Sequence, residues 1–228
     1  MDTLKTKGYL NNTKIVFLSD HGESWTSENP IFTSDIEKRG FMRQIGGHGS
    51  DLVTDTANRV LLALQNFSKD QVLFNNTRKI TSLADITPTV LDELNIASHH
   101  SDGFSLMKTS LPKNRWIPIE TGTVFDIESM SSGTILDTIS PMLNRYTVNS
   151  DGRVVIKTSQ IPLALKQKRY GIRNNKFILT EESDGMYLFD TSDNTFIRFH
   201  DLASLKRKNK LLFNQWCKWY EKQSQECL

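Results

Sequence analysis

The stretch Lys14-Ile15-Val16-Phe17-Leu18-Ser19-Asp20-His21-Gly22 is the clearest single element of the sequence. It begins with a short, continuous apolar run that has β-branched and aromatic members, and it ends in a turn. Continuous apolarity is typical of a strand that is buried on both faces, so the run predicts a central strand of a parallel sheet. Asp20 and His21 then lie at the carboxyl end of that strand, where open α/β sheets place their ligands.

Asp20 and His21 are the first candidates for a metal site. A carboxylate and an imidazole that are adjacent at a sheet tip can both reach one divalent cation, since Asp oxygen and His nitrogen bind Zn²⁺ at about 2.0 to 2.2 Å. Two ligands alone make a weak site, however, and an Asp-His-Gly sequence is more often an ordinary turn.

His48 is a third candidate, because glycines flank it in Gly46-Gly47-His48-Gly49. Glycines let the backbone approach a bound ion closely, and a neutral imidazole there can ligate a metal or donate to a phosphate or sulfate. A surface loop histidine is an equally good reading of the spacing. We interpret His99-His100 as a surface turn, and His200 receives no role.

The rest of the first half alternates predicted strands and helices. Residues 24–50 form a long excursion, and Arg59–Leu64 is a second apolar run that predicts a buried strand. From Ser82 the apolar spacing becomes helical, and Ser82 with Asp85 can form a capping box. Pro88 fits best as the first helical residue. The proline in Trp116–Glu120 favours an edge strand.

Beyond about residue 125 the pattern changes to short apolar segments separated by turn residues. Spacing this close leaves no room for crossover helices, so it predicts antiparallel strands joined by hairpins. The segments are Tyr146–Val148, Arg153–Ile156, Tyr170–Arg173, Lys176–Leu179, Met186–Phe189 and Phe196–Phe199. A closing helix starts near Asp201, and we expect its apolar stripe to pack on the sheet, with Lys206-Arg207-Lys208 on its solvated side.

Composition excludes several classes of protein. The chain has 228 residues, 28 Lys and Arg against 26 Asp and Glu, and a net charge of +2, which gives no overall attraction to nucleic acid or anionic lipid. Two cysteines exclude a disulfide scaffold and leave one bridge or two free thiols as alternatives.

No run of 18 apolar residues and no apolar signal segment after Met1 occurs, so we expect no membrane segment in this chain. Phosphate-loop, dinucleotide, HExxH and GxSxG motifs are absent.

Five ordered blocks of the sequence resemble the sulfatase-like branch of the alkaline phosphatase superfamily. The first is Leu10–Glu23, which is similar to that family's hydrophobic-S-D-H-G-E segment. The second is His48-Gly49 followed by Asn58–Leu62, in which Leu61 replaces the usual proline. The others are Ser82–Leu91, similar to "s-x-x-D-I-x-P-T-l-L"; Asp102–Leu106, similar to "d-G-x-S-L"; and Arg169–Leu202, in which Phe189 stands where the family has Asp.

The resemblance implies a fold and a chemistry. It implies a partial α/β/α sandwich of the alkaline phosphatase type over residues 1–125, followed by a small antiparallel subdomain with a closing helix over residues 126–228. Asp20 and His21 would bind the catalytic divalent cation, with calcium, zinc and manganese as alternatives. His48 would bind a second metal or the anionic head of a sulfate or phosphate ester. Turnover in the family proceeds through a covalent intermediate on a Thr, Ser or formylglycine nucleophile.

The resemblance also leaves a gap, because no C-x-P-S-R-like nucleophile sequence occurs in this chain. It therefore implies a C-terminal portion that lacks the nucleophile, is inactive alone and needs the N-terminal half of the catalytic domain as its partner. Work outside the cytoplasm is usual in the family. Two alternatives remain: a phosphoethanolamine or phosphoglycerol transferase of the same superfamily, and a non-catalytic binding module that keeps the fold.

Overall fold

The structure is a computed structural model that describes residues 1–23, 52–53, 55–67, 71–72, 80–97, 101–107, 111–122, 143–166, 168–182, 185–193, 195–220 and 227. These residues form a mixed α/β protein. Its helices are α1 (Asp2–Thr6), α2 (Asp55–Asn58), α3 (Ile86–Glu93), α4 (Ile161–Lys166), α5 (Leu202–Lys208) and α6 (Lys210–Tyr220). Its strands are β1 (Lys14–Leu18), β2 (Leu62–Asn66), β3 (Gln71–Val72), β4 (Ile117–Glu120), β5 (Tyr146–Val148), β6 (Val154–Ile156), β7 (Tyr170–Arg173), β8 (Phe177–Glu182), β9 (Gly185–Asp190) and β10 (Thr195–Phe199).

The chain divides into two compact units. The first consists of residues 1–22, 59–117 and 173–176, and the second of residues 23–58, 118–172 and 177–228. Within the described residues, no helix is long and apolar enough to cross a membrane.

The sheet of the first unit has the strand order β1-β2-β3. β1 pairs antiparallel with β2, with Lys14 opposite Asn66 and Leu18 opposite Leu62. The prediction of a central strand in a parallel sheet is therefore wrong for the described sheet. Continuous apolarity reports expected burial, and it carries no information about the direction of the neighbouring strand. Here Phe17 and Leu18 are 41% and 49% exposed, so β1 is only partly buried.

The second strand of this sheet starts later than its apolar run predicts. The run begins at Arg59, whereas β2 begins at Leu62, and Leu61 is 61% exposed. Leu64 and Asn66 are buried. An apolar run locates a strand only to within a few residues, because its boundaries depend on which backbone groups find partners.

The helix after Ser82 confirms the predicted capping box. The Ser82 hydroxyl accepts from the Ala84 N–H, and the Asp85 carboxylate accepts from the Ser82 N–H. A single 3₁₀ turn precedes α3, so Pro88 is the third residue of the α-helix instead of the first. Pro88 is tolerated there because the first four N–H groups of a helix have no partner within it. α3 and the first two strands line an apolar gap of only about 10 Å³.

The second unit contains a five-stranded antiparallel sheet of order β10-β9-β8-β7-β4. The predicted antiparallel strands are thereby confirmed, and β4 is confirmed as an edge strand despite Pro118. The core of this unit includes a cluster of Val53, Ile178, Tyr187 and Phe189, with Phe196 packed against it. β5 and β6 form a separate two-stranded sheet.

The C-terminal helix is confirmed as a packing element, but it is two helices. α5 ends at Lys208, α6 starts at Lys210, and Asn209 between them has non-helical backbone angles. The apolar stripe is buried, as Leu205 and Trp216 show with 0% and 1% exposure. A disulfide joins Cys217 to Cys227, which settles the alternative between a bridge and two free thiols.

Candidate functional site

Asp20 and His21 follow β1 after one residue, Ser19, which is bonded to the neighbouring strand segment. The Ser19 N–H donates to the Leu61 carbonyl at 3.1 Å, and the Leu61 N–H donates to the Ser19 hydroxyl at 2.8 Å. These two bonds close the end of the β1–β2 ladder. The chain therefore leaves the sheet at a fixed point, directly before the two candidate ligands.

The two candidate ligands face each other. One Asp20 oxygen, Oδ1, lies 3.5 Å from His21 Nε2 and accepts from the His21 backbone N–H at 3.0 Å. The Asp20 side chain is 84% exposed and that of His21 is 40% exposed. Both are thus accessible to an ion from solvent, and a sequence-adjacent pair does converge on one point.

The second ring nitrogen of His21 forms a hydrogen bond that orients the ring. Nδ1 lies 2.7 Å from the Gly22 carbonyl oxygen. Since a carbonyl oxygen only accepts, Nδ1 carries the proton in this hydrogen bond. Ligand histidines usually donate their other N–H to a carbonyl or carboxylate in this way. The sequence did not indicate this contact with the Gly22 carbonyl.

The distances in this pair fit a small divalent cation. With ligand bonds of about 2.0 to 2.2 Å, an oxygen and a nitrogen 3.5 Å apart subtend an angle of about 110° at a shared ion, which is close to tetrahedral. A zinc site needs three or four protein ligands. The described residues contain no group of three or more His, Cys, Asp or Glu side chains that could hold a metal. His48, the third predicted ligand, lies outside the described residues, as do His99 and His100.

His200 and Asp201 form a second adjacent pair that differs in its chemistry. His200 Nδ1 lies 3.3 Å from one Asp201 oxygen, and the other oxygen caps α5 by accepting from the Ser204 N–H at 2.6 Å. Hydrogen bonds from the Ser204 hydroxyl and N–H lower the pKa of Asp201 to about 2. This carboxylate is engaged by its own helix, so the pair is a matched reference for Asp20 and His21.

Asp85, which the sequence identified only as a cap, is the centre of a buried polar cluster. Its side chain is fully buried, and Arg115 approaches both oxygens at 2.6 and 2.7 Å. The N–H groups of Ser82 and Phe104 donate to the same oxygens. Four protein donors occupy the two oxygens of this buried carboxylate, so the cluster has a structural role. Arg115 had no signal in the sequence.

The Asp102–Leu106 segment packs directly on the start of α3. A Cβ atom at Gly103 would lie 2.0 Å from the Ala84 carbonyl oxygen, so only glycine fits there. The Ser105 hydroxyl donates to Asp92 at 2.5 Å, and the Leu106 N–H donates to the Thr89 hydroxyl at 2.9 Å. The segment is therefore held at three levels, from Ala84 before the helix to Asp92 in its last turn.

Comparisons with known proteins give no family assignment. No family model matches the sequence, and no curated protein matches it.

Proposed function

We propose that this chain carries part of the metal site of a sulfatase-like ester hydrolase, with Asp20 and His21 as ligands of a divalent cation. The observation that carries the proposal is the hydrogen bond between His21 Nδ1 and the Gly22 carbonyl. It orients the ring while Nε2 lies 3.5 Å from an exposed carboxylate oxygen of Asp20, so that both candidate ligand atoms converge on one point.

The packing of two resembling blocks supports the proposal. Asp85 belongs to the Ser82–Leu91 block, and Phe104 belongs to the Asp102–Leu106 block, yet the Phe104 N–H donates to Asp85 at 2.8 Å. Gly103 is required by its contact with Ala84. Residues that make these two blocks similar to the family therefore contact one another. We extend the proposal to a partial α/β/α sandwich of the alkaline phosphatase type.

In this proposal the cation and the protein side chains have different roles in the reaction. A bound divalent cation would neutralise charge on the transferring sulfuryl or phosphoryl group and lower the pKa of a coordinated nucleophile. Asp20 would supply the negative charge that holds the ion, and the Gly22 carbonyl would orient His21. His48 is proposed as a further ligand or as a donor to the anionic ester. We assign no nucleophile to this chain.

The disulfide supports a location outside the cytoplasm. Disulfides persist in oxidising compartments and are rare where thiols are kept reduced. The Cys217–Cys227 bridge agrees with the extracytoplasmic location that the family resemblance implies.

Metal titration of the 228-residue chain tests the assignment. Isothermal titration with Zn²⁺, Mn²⁺ and Ca²⁺ should give one site, and Asp20→Asn or His21→Gln should weaken it by at least about tenfold. His200→Gln is the matched control, because it removes an imidazole beside an aspartate that caps a helix. Equal affinity in all three variants, or a loss confined to His200→Gln, would contradict the assignment.

Activity assays separate the enzyme from a binding module. We expect no hydrolysis of aryl sulfates or aryl phosphates by the chain alone, since it supplies no assigned nucleophile. When the catalytic half of such an enzyme is added in trans or fused, metal-dependent hydrolysis should appear and should disappear in Asp20→Asn. Hydrolysis that survives the loss of both Asp20 and His21 would show that these residues are not the metal ligands.

A further inference from the structure

Helix α6 has a buried face and an exposed face. The buried side chains are those of Leu212, Phe213, Trp216 and Tyr220. On the other side of the helix, Lys210, Asn214 and Lys218 recur every four residues, and all three are exposed. Residues four positions apart are neighbours on a helix surface, so these side chains form one line, which we call the basic stripe. Its two lysines are about 12 Å apart along the helix axis.

A further cation lies against the start of the basic stripe. Lys206 of α5 is exposed, and its Nζ lies 4.8 Å from the centre of the Phe213 ring. Phe213 follows Lys210 by three positions, so it belongs to the first turn of α6. In the part of the chain that the structure describes, no carboxylate pairs with Lys206, Lys210 or Lys218. These cations are therefore available to a partner from solvent.

Helix stability accounts for several of the neighbouring cations but not for Lys210. Lys206, Arg207 and Lys208 lie in the last turn of α5, and Lys218 lies in the last turn of α6. The negative end of the helix dipole favours cations at such positions. Lys210 is instead the first residue of α6, where the positive end of the dipole disfavours a cation, and that turn contains no acidic residue. An interaction outside the helix is the better explanation for Lys210.

The positive charge is concentrated in these two helices. Residues 202–220 contain five Lys or Arg and no Asp or Glu, which gives a net charge of +5. The whole chain carries +2, so the other residues together carry −3. Two copies that met through this surface would bring like charges together, which disfavours a dimer. The charge distribution favours a polyanion that binds at this surface alone.

The surroundings of the basic stripe indicate which polyanion fits. An interfacial helix inserts an apolar face between lipids, but the large apolar side chains of α6 are buried or half-buried, apart from Leu211. Single-stranded nucleic acid stacks its bases on accessible aromatic rings, and α6 presents no exposed aromatic ring. The same helix carries the Cys217–Cys227 disulfide, which is typical of an oxidising compartment. Polysaccharides are the common polyanions there.

We propose that the basic stripe binds a linear sulfated polysaccharide. Lys206, Lys210 and Lys218 contact successive sulfate groups, and the Asn214 amide bonds to sugar hydroxyls between them. Lys-rich and Arg-rich stretches of this length are typical of heparin-binding surfaces. A sulfated chain fits better than a carboxylated one, because it carries more negative charges per sugar for a surface that has five cations and no anion. This inference is independent of the metal site.

Heparin binding by the full chain tests the proposal. Retention on immobilised heparin and titration with soluble heparin are measured at several salt concentrations. We expect binding at low salt that weakens as salt is added, because binding releases counterions from the polymer. Lys210→Gln with Lys218→Gln should weaken binding about tenfold or more, whereas Asn214→Lys, which adds a cation to the same line, should strengthen it.

Matched controls make the result specific to this surface. Lys5→Gln with Lys7→Gln removes the same charge from exposed positions in the first unit and should leave heparin binding unchanged. Asp20→Asn should also bind heparin like the parent, which separates this inference from the proposed metal site. Circular dichroism of every variant verifies that the fold is retained.

Several results would overturn the proposal. These are the absence of heparin binding, an equal loss in the Lys5 and Lys7 variant, and unchanged binding in the variant of Lys210 and Lys218. Equal affinity for polygalacturonate would replace the sulfated polymer by a general polyanion. Tighter binding to duplex DNA, or to phosphatidylglycerol vesicles in a manner that Leu211→Ser abolishes, would assign the surface to nucleic acid or to a membrane instead.

Discussion

Arg115 forms a bidentate ion pair with Asp85 inside the first unit, with Nη1 2.6 Å from Oδ2 and Nη2 2.7 Å from Oδ1. The two side chains are 5% and 0% exposed. Arg115 also lies over the Phe104 ring, 4.9 Å from its centre. One residue thus holds the cap of a helix and the loop that packs on it.

Breaking this pair should destabilise the protein severely. Removing one partner of a buried ion pair leaves an uncompensated charge and costs about 3 to 5 kcal/mol, so Arg115→Met is expected to lower the free energy of unfolding by that amount. Lys168→Met is the control, because its pair with Glu120 is partly exposed and should contribute less than about 1 kcal/mol. Urea denaturation measures both. Equal losses would mean that the Asp85 pair is not the organising contact.

Gly103→Ala should lower the free energy of unfolding more than Gly152→Ala, which changes a glycine in a turn. The new Cβ would overlap the Ala84 carbonyl, a backbone atom that cannot rotate away, so we expect a loss of about 3 kcal/mol or more. Gly152→Ala places a side chain at φ +75° with open space around it, which costs only about 1 to 2 kcal/mol. The two variants are compared by their urea midpoints. A smaller loss at Gly103 would contradict the described packing of the loop.

Asp201 should make stability fall in strong acid. Its pKa is lowered to about 2 by the hydrogen bonds from Ser204, compared with an ordinary value of 3.8. A lowered pKa means that the folded state favours the charged form, so this contribution is complete above pH 3.8 and is lost as the pH falls through about 2. Thermal unfolding of the parent and of Asp201→Asn across this range measures it. A constant difference in Tm between the two proteins would exclude the linkage.

Tyr220 should make stability fall in strong base. Its hydroxyl contacts the carbonyl oxygens of Gly171 and Ile119 at 2.7 and 3.1 Å, and burial raises its pKa well above the usual 10. A raised pKa means that the folded state favours the neutral phenol, so this contribution is complete below pH 10 and is lost above it.

Tyr220→Phe therefore tests both the bond and the linkage. It should cost about 1 to 2 kcal/mol at neutral pH and should flatten the loss of stability above pH 10. Tyr9→Phe is the control, since Tyr9 is 64% exposed. Denaturation at several alkaline pH values measures both effects. If the alkaline profiles of the parent and Tyr220→Phe coincide, the buried phenol does not control this transition.

Local sequence patterns determined much of the architecture. The capping box at Ser82 and Asp85, the edge position of β4 with Pro118, and the antiparallel strands after residue 143 were all predictable. The capping box joins residues only three positions apart, and a proline removes an N–H that a central strand would need. The short turns between the later strands leave no room for the crossovers that parallel strands require. Asp20 and His21 are adjacent in the sequence, so these two candidate ligands are close together in any fold.

Tertiary structure alone decided the direction of β1, the identity of Arg115 as the partner of Asp85, and the break at Asn209 between two helices. Apolar periodicity encodes which side chains avoid water, and it is the same for either strand direction. The pairing of Asp85 with Arg115 joins residues 30 positions apart, and no local signal specifies such a partner. Contacts at long separation are selected by the summed packing of the whole unit, because their loop-closure entropy is offset only when many of them form together.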